Sequence, residues 1–270
     1  VVYLPRTTGI SSSEIRSENQ QLNIGLLGGF EETILNKYYQ ESTLVNGITV
    51  TTLLNSSKNT EAWLTEYEAF LNDCDAVYIL SHPARHYQEI KYALEKGKHV
   101  LCESPLALNS QETKELFALA ERKQLILMEA IKTAYSNAYN RLILLVKTGK
   151  IGKVVSIDAT CTSLQNFNNK NLESSWNSIC AWGPTAMLPI FQLLNTSYEK
   201  QIYSLFENEK IKYDNFTKIN FLFQNATASI KVGRGVKSEG ELVISGTKGY
   251  VYVPAPWWKT DYFELRFEDQ

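Results

Sequence analysis

ALEKGKHVLCESPLAL, residues 93–108, is the stretch on which the fold reading turns. A helical run stops at Gly97, a residue type that accepts the left-handed conformation just past a helix end. HVLCE (99–103) is then a short apolar strand, followed by a turn through Pro105. Immediately upstream, RHYQEIKYALEKG (85–97) reads as the helix and CDAVYIL (74–80) as an uninterrupted apolar strand. Such a strand suits a parallel sheet covered on both faces. Downstream, Asn109 with Glu112 resembles a capping box that starts a helix running to about Arg122. LILMEA (125–130) is the next buried strand.

The same alternation extends towards the N-terminus. LNIGLLGGF (22–30) is a strand ending in a glycine turn, with a helix after it, and ITVTTLLN (48–55) is β-branched and strand-like. TEAWLTEYEAFLND (60–73) places Trp63, Tyr67 and Phe70 at helical spacing. Short strands alternating with helices mean βαβ units with right-handed crossovers. Residues 21–131 therefore read as a Rossmann-like parallel-sheet domain, behind a polar tail at 1–20. After Gly149 the period changes to two, in KVVSIDATCTS (153–163), TKINFLFQNATASIKVG (217–233) and GELVISGTKGYVYV (240–253), the last a hairpin about Gly246 to Gly249. GPTAMLPIFQLL (183–194) is the strong helix of this half and is expected to cover the sheet. Residues 132–270 thus read as an α+β domain with an open, mostly antiparallel sheet.

Composition narrows the function. The 270 residues are 44% hydrophobic and 21% charged, which excludes a disordered chain or a small disulfide scaffold. A net charge of −2 argues against a nucleic-acid partner, which would need a basic excess. No apolar run of membrane-spanning length and no secretory signal is visible. Cys74, Cys102, Cys161 and Cys180 form no CxxC pair and read as inert thiols of a cytoplasmic protein. Three histidines without HExxH spacing give no metal site.

The glycine turn is a candidate dinucleotide site, because backbone N–H groups reach a pyrophosphate only where glycine leaves room. The GxGxxG places fall on Gly28, Phe30 and Thr33, with Gly29 between the first two. Glu31 and Glu32 follow. Each carboxylate within about 5 Å of a pyrophosphate would repel it by up to ~3 kcal/mol at an effective dielectric of 20. On loop chemistry alone, a bound dinucleotide and an empty Rossmann shell both stand. Asn55 occupies the place where Asp or Glu usually holds a ribose hydroxyl, and with Lys58 nearby NADP is favoured over NAD. Ser81, His82, Pro83 and His86 form a turn at the carboxyl edge of the sheet, where ligands bind. His86 either orients a ligand or bonds backbone at a helix start; His82 reads as solvated and His99 as a satisfied core histidine.

GKHVLCESPLA closely resembles the GKHVLCEKPLA motif of the Gfo/Idh/MocA oxidoreductases. DAVYIL at 75–80, the proline turn with His86, LMEA at 127–130, GKIGKV at 149–154 and SGTKGYVYVPAPWW at 245–258 fit the same family, over residues 22–270. The resemblance implies a nicotinamide cofactor, NAD(P), with contacts at Glu103, Pro105 and Glu129 as well. It implies a sugar, polyol or sugar- or polyol-phosphate substrate, and homo-oligomers formed through the exposed face of the C-terminal sheet. Departures are specific. The family's EKP lysine is Ser104, its DxGxH acid and histidine fall on Ala181 and Thr185, and the arginine after MEA falls on Ala134. A positioned acid or base supplies about 10²–10⁴ in rate, so losing the lysine should slow turnover. Ser104, Lys132 and Tyr135 remain as catalytic candidates, although Lys132 also reads as a surface lysine and Tyr135 as a core ring. RTTGISSSEIR (6–16) is similar to the RTxGISTTxI segment of cytidylyltransferases, whose HxGH motif is absent here. Two functions follow: a slowed oxidoreductase, or a catalytically inactive cofactor-binding or oligomerisation domain fused to a cytidylyltransferase.

Overall fold

A computed structural model describes residues 21–29, 32–55, 61–164, 177–208 and 213–268. The tail at 1–20, Phe30, Glu31 and Lys58 lie outside the described residues. The chain divides into two compact units. One runs to Cys102 and includes Asn109–Met128; the other holds Glu103–Leu108 and everything from Glu129 onward.

The first unit is a five-stranded sheet in the order β2-β1-β3-β4-β5. Its strands are β1 (Leu22–Gly28), β2 (Ile48–Asn55), β3 (Ala76–Ile79), β4 (His99–Cys102) and β5 (Leu127–Glu129). β1 pairs in parallel with β2 and β3, and β3 with β4. The helices are α1 (Glu32–Ser42), α2 (Glu61–Asn72), α3 (Pro83–Glu95) and α4 (Ser110–Lys123). Leu26, Leu27, Val77 and Ile79 are fully buried, as the continuous apolar strands require. Gly25 lets α2 close on the sheet, since a Cβ there would meet the Phe70 ring at 2.5 Å. The Asn109 side chain accepts the Glu112 N–H at 2.9 Å and starts α4 where the sequence predicts.

The second unit begins with a 3-10 turn at Lys132–Tyr135 and α5 (Asn137–Lys147). Its seven-stranded sheet runs in the order β12-β11-β10-β6-β9-β8-β7. The strands are β6 (Val154–Ser163), β7 (Glu199–Asn208), β8 (Tyr213–Leu222), β9 (Thr227–Arg234), β10 (Leu242–Gly246), β11 (Tyr250–Val253) and β12 (Glu264–Arg266). Neighbouring strands are antiparallel except β6 with β9, which are parallel. The hairpin closes where expected, with the Gly246 N–H on the Gly249 carbonyl at 2.9 Å.

The covering helix, α6 (Ser178–Leu193), starts five residues before the predicted Gly183. The Asn177 side chain caps it on the Cys180 N–H, and Pro184 and Pro189 lie within it. Ala186 and Ile190 of α6 pack with Ile157, Ala159, Ile230, Val232 and Ile244 in one buried cluster. Trp257 completes that core, and its indole N–H donates to the Thr160 carbonyl at 3.1 Å.

Candidate functional site

In the first unit the connections leave β1 in opposite directions, towards β2 on one side and β3 on the other. The carboxyl ends of β1 and β3 are therefore a topological switch point, where open α/β sheets bind ligands. Gly28 and Gly29 sit there, both buried. A Cβ on Gly28 would lie 3.3 Å from Asn55 Oδ1 at the end of β2. One on Gly29 would lie 3.2 Å from the Ser81 Cα, a backbone atom that cannot swing away. The two glycines thus let the β1 end, the exposed Asn55 amide and the Ser81–His82 turn come together. The side-chain-free backbone at the two glycines and the exposed Asn55 amide in that crevice fit the phosphates and ribose of a dinucleotide.

α3 carries the device that fixes this turn. Ser81 donates its hydroxyl to Glu89 Oε2, and His86 Nε2 lies 2.9 Å from the Ser81 carbonyl. His82 is not a solvated side chain: it is half-buried and its Nδ1 accepts the Ala84 N–H at 3.2 Å, capping α3. Pro83 opens the helix at its first position, where a missing N–H costs nothing. Glu89 is completely buried and forms an ion pair with Arg85, Nη2 to Oε1 at 2.5 Å. Burial pushes the Glu89 carboxyl above its ordinary value, against the pull of Arg85 and Ser81. Burial and then the Glu89 charge also raise Tyr67, whose hydroxyl donates to the Glu89 carbonyl at 3.0 Å. Sequence reasoning missed Arg85 and Glu89. The signal was present, since Glu89 shares a helical face with the apolar Ile90 and Ala93.

Glu103, Ser104, Pro105, Glu129, Lys132 and Tyr135 belong to the second unit. Their centre is the Glu129 carboxylate. Its Oε1 accepts the Ser104 hydroxyl at 2.6 Å and the Leu106 N–H at 3.2 Å. Pro105, between them, follows a cis peptide bond. Tyr135 is about half-exposed, and its hydroxyl donates to the Glu129 carbonyl at 3.1 Å. Lys132 Nζ lies 3.6 Å from Glu103 Oε1, with the lysine side chain 67% exposed. Thr133 and Ser136 tie this turn down through bonds to the Trp258 and Thr260 carbonyls, at 2.9 and 3.3 Å. Ala181 and Thr185 lie on α6 and Ala134 in the 3-10 turn.

Among the described residues no cluster of three or more His, Cys, Asp or Glu could hold a metal. Among the same residues no helix is long and apolar enough to cross a membrane.

Residues 24–131 match the model of the Gfo/Idh/MocA oxidoreductase family, described as an NAD-binding Rossmann fold. The match covers less than half of the chain. The chain's relatives include scyllo-inositol 2-dehydrogenase (NADP(+)) IolU of Bacillus subtilis, 42% identical over 76 residues, which are 28% of this chain and 23% of that protein. Another is dTDP-3,4-didehydro-2,6-dideoxy-alpha-D-glucose 3-reductase of Streptomyces violaceoruber, 39% identical over 98 residues, or 36% of this chain and 29% of the relative. The matched segments thus span less than a third of these relatives. Among solved structures, KijD10, a 3-ketoreductase from Actinomadura kijaniata in complex with TDP-benzene and NADP, has the same fold. The TM-score is 0.74 at 19% identity, over 92% of this chain and 82% of that one.

Proposed function

We propose that the chain is an NAD(P)-dependent oxidoreductase of the Gfo/Idh/MocA type that acts on a sugar, a polyol or one of their phosphates. The meeting of Gly28, Gly29, Asn55 and the Ser81–His82 turn at the switch point carries this reading. There Gly28 and Gly29 would receive the pyrophosphate and Asn55 a ribose hydroxyl, while Ser81, His82, Pro83 and His86 shape the wall. In the second unit Glu103, Pro105 and Glu129 would flank the nicotinamide end. A bound nicotinamide supplies or accepts the hydride. Ser104, Lys132 and Tyr135 are the groups that would orient the reacting carbonyl or hydroxyl and handle its proton. NADP is favoured: Asn55 brings no carboxylate against a 2′-phosphate, and the relatives named above include NADP-dependent proteins. Their inositol and nucleotide-sugar substrates support the substrate class. Ser104 in place of a lysine predicts turnover about 10²–10⁴-fold below that of an enzyme with a positioned acid. The face of the second sheet turned away from α6, with Asp158 and Ser229 paired across β6 and β9, is the proposed homo-oligomer contact.

The test is the change in absorbance at 340 nm with NADPH or NADP over a panel of keto-sugars, polyols and their phosphates. Slow, saturable turnover with one class supports the reading; none with any class counts against it. The binding of Ser104 to Glu129 favours a second reading, a cofactor-binding or oligomerisation domain without chemistry, fused to a cytidylyltransferase through the 6–16 segment. Ser104→Lys combined with Ala181→Asp separates the two. Activity that appears only in the double variant identifies a decayed enzyme.

A further inference from the structure

A serine hydroxyl carries one proton and two lone pairs, so it can give one hydrogen bond while it accepts others. Where the proton points decides what the serine offers a ligand. In the second unit the Ser104 hydroxyl gives its proton to Glu129 Oε1 at 2.6 Å. The Leu106 N–H reaches the same oxygen at 3.2 Å and holds the carboxylate in place. Tyr135 holds the backbone of that residue, through the Glu129 carbonyl at 3.1 Å. What Ser104 has left for a ligand is its lone pairs. The pairs Ser81–Glu89 and Ser178–Asp214 have the same chemistry but are buried at both members. Ser104 and Glu129 are both half-buried, which leaves this pair within reach of a ligand.

We infer that Ser104 and Glu129 form a proton relay, and that the site is built to bind an alcohol and take its hydroxyl proton. The inference rests on the oxidoreductase reading and deepens it. With Ser104 in place of a lysine, no ammonium at that position polarises a carbonyl. A substrate O–H donates to a Ser104 lone pair instead, and the carboxylate behind Ser104 supplies the basicity that a hydroxyl lacks. In the oxidation, the substrate hydroxyl proton passes to Ser104 Oγ as the Ser104 proton passes to Glu129 Oε1. The O–H electron pair becomes the C=O π bond, and the carbinol hydrogen leaves as hydride with its electron pair. An oxidised nicotinamide supplies the acceptor for that hydride, so the alcohol loses two electrons and the dinucleotide gains them. Ser104 ends as a neutral hydroxyl and Glu129 as a carboxylic acid, which returns its proton to water. The Leu106 N–H bonds Oε1 in both states, so the carboxyl group need not move between them.

The test uses NMR and turnover on the whole chain. Glutamate labelled with ¹³C in its side-chain carboxyl marks the acids, and Glu129→Gln, whose amide oxygen keeps both accepted bonds, assigns the Glu129 signal. NADPH and an alcohol form a complex that cannot react. Adding inositols, alditols or aldoses to the NADPH-bound chain is expected to move the Glu129 signal in wild type but not in Ser104→Ala. In turnover of the same panel with NADP, Glu129→Gln and Ser104→Ala are each expected to lose about 10²- to 10⁴-fold in kcat, with NADPH affinity within about threefold of wild type. The double variant is expected to lose no more than either single one, because the two groups act as a unit. Ser104→Thr, which keeps the hydroxyl, is expected to keep turnover. In mixtures of H₂O and D₂O the wild-type rate is expected to fall along a curve, as two protons in flight require, and that of Ser104→Ala along a line. A purely structural change would not move that readout. Wild-type turnover in Glu129→Gln, losses that add in the double variant, or a Glu129 signal that no alcohol moves overturns the relay and leaves the oxidoreductase reading in place. Failure of the wild-type chain to bind NADPH overturns that reading, and the relay with it.

Discussion

Glu89 is a carboxylate with no solvent exposure, held between the Arg85 guanidinium and the Ser81 hydroxyl. Truncating one partner of a buried pair leaves the other charge uncompensated, which costs about 3–5 kcal/mol. Glu89→Ala should therefore lower stability by about that amount in urea unfolding, more than loss of any surface pair. Gly29 makes a separate demand. A Cβ 3.2 Å from the Ser81 Cα must displace the turn by a few tenths of an ångström. Gly29→Ala is expected to cost about 1–3 kcal/mol as overpacking and to weaken dinucleotide binding several-fold, measured by fluorescence titration. Residues of this scale were unevenly legible in the sequence. Gly28, Gly29 and Asn55 announce themselves by position after apolar strands. Arg85 and Glu89, four apart on α3, were overlooked, and it is the fold that buries both. His82 looked solvated because nothing local shows that its ring caps α3.

At the scale of elements, the N-terminus of α6 illustrates how a cap from a distant strand escapes sequence reasoning. Asp214 of β8 is 3% exposed and accepts the Ser178 hydroxyl and, at 2.9 Å, that of Thr217. Burial raises its carboxyl above 3.8, more than the Thr217 hydroxyl and the backbone amides of Asp214, Ile179 and Ser178 lower it. The folded state then binds more protons than the unfolded state just above pH 3.8, so stability falls as pH rises through that window. Asp214→Asn should remove this slope from the pH dependence of unfolding. The start of α4 is simpler: Asn109→Ala should cost about 1 kcal/mol, because one capping bond is lost. That cap was visible as Asn109 three residues before Glu112. β7 was not visible, since Ile202, Tyr203 and Leu205 of this edge strand, two of them adjacent, all remain exposed. The parallel β6–β9 pairing was also invisible, because period two identifies a strand but not the direction of its neighbour.

For the whole molecule, alternation of strands and helices followed by a change to period two made both architectures legible, down to the hairpin at Gly246 and Gly249. The chemistry was less legible, because it depends on where single protons are held. Ser104 and Tyr135 look unrelated in sequence; in the structure both hydroxyls donate to Glu129, one to its carboxylate and one to its carbonyl. A ligand that binds only the folded state stabilises it by about 2.7 kcal/mol at 100 times its dissociation constant, so cofactor recognition also has a thermal signature. The most direct test of the central claim is titration of the purified chain with NADPH and NADH, read by nicotinamide fluorescence. Saturable binding below about 100 μM, tighter for NADPH and weakened by Gly29→Ala, is the expected result; at that affinity association is worth about 5.5 kcal/mol. No binding of either nucleotide would contradict it and leave a Rossmann shell without its cofactor.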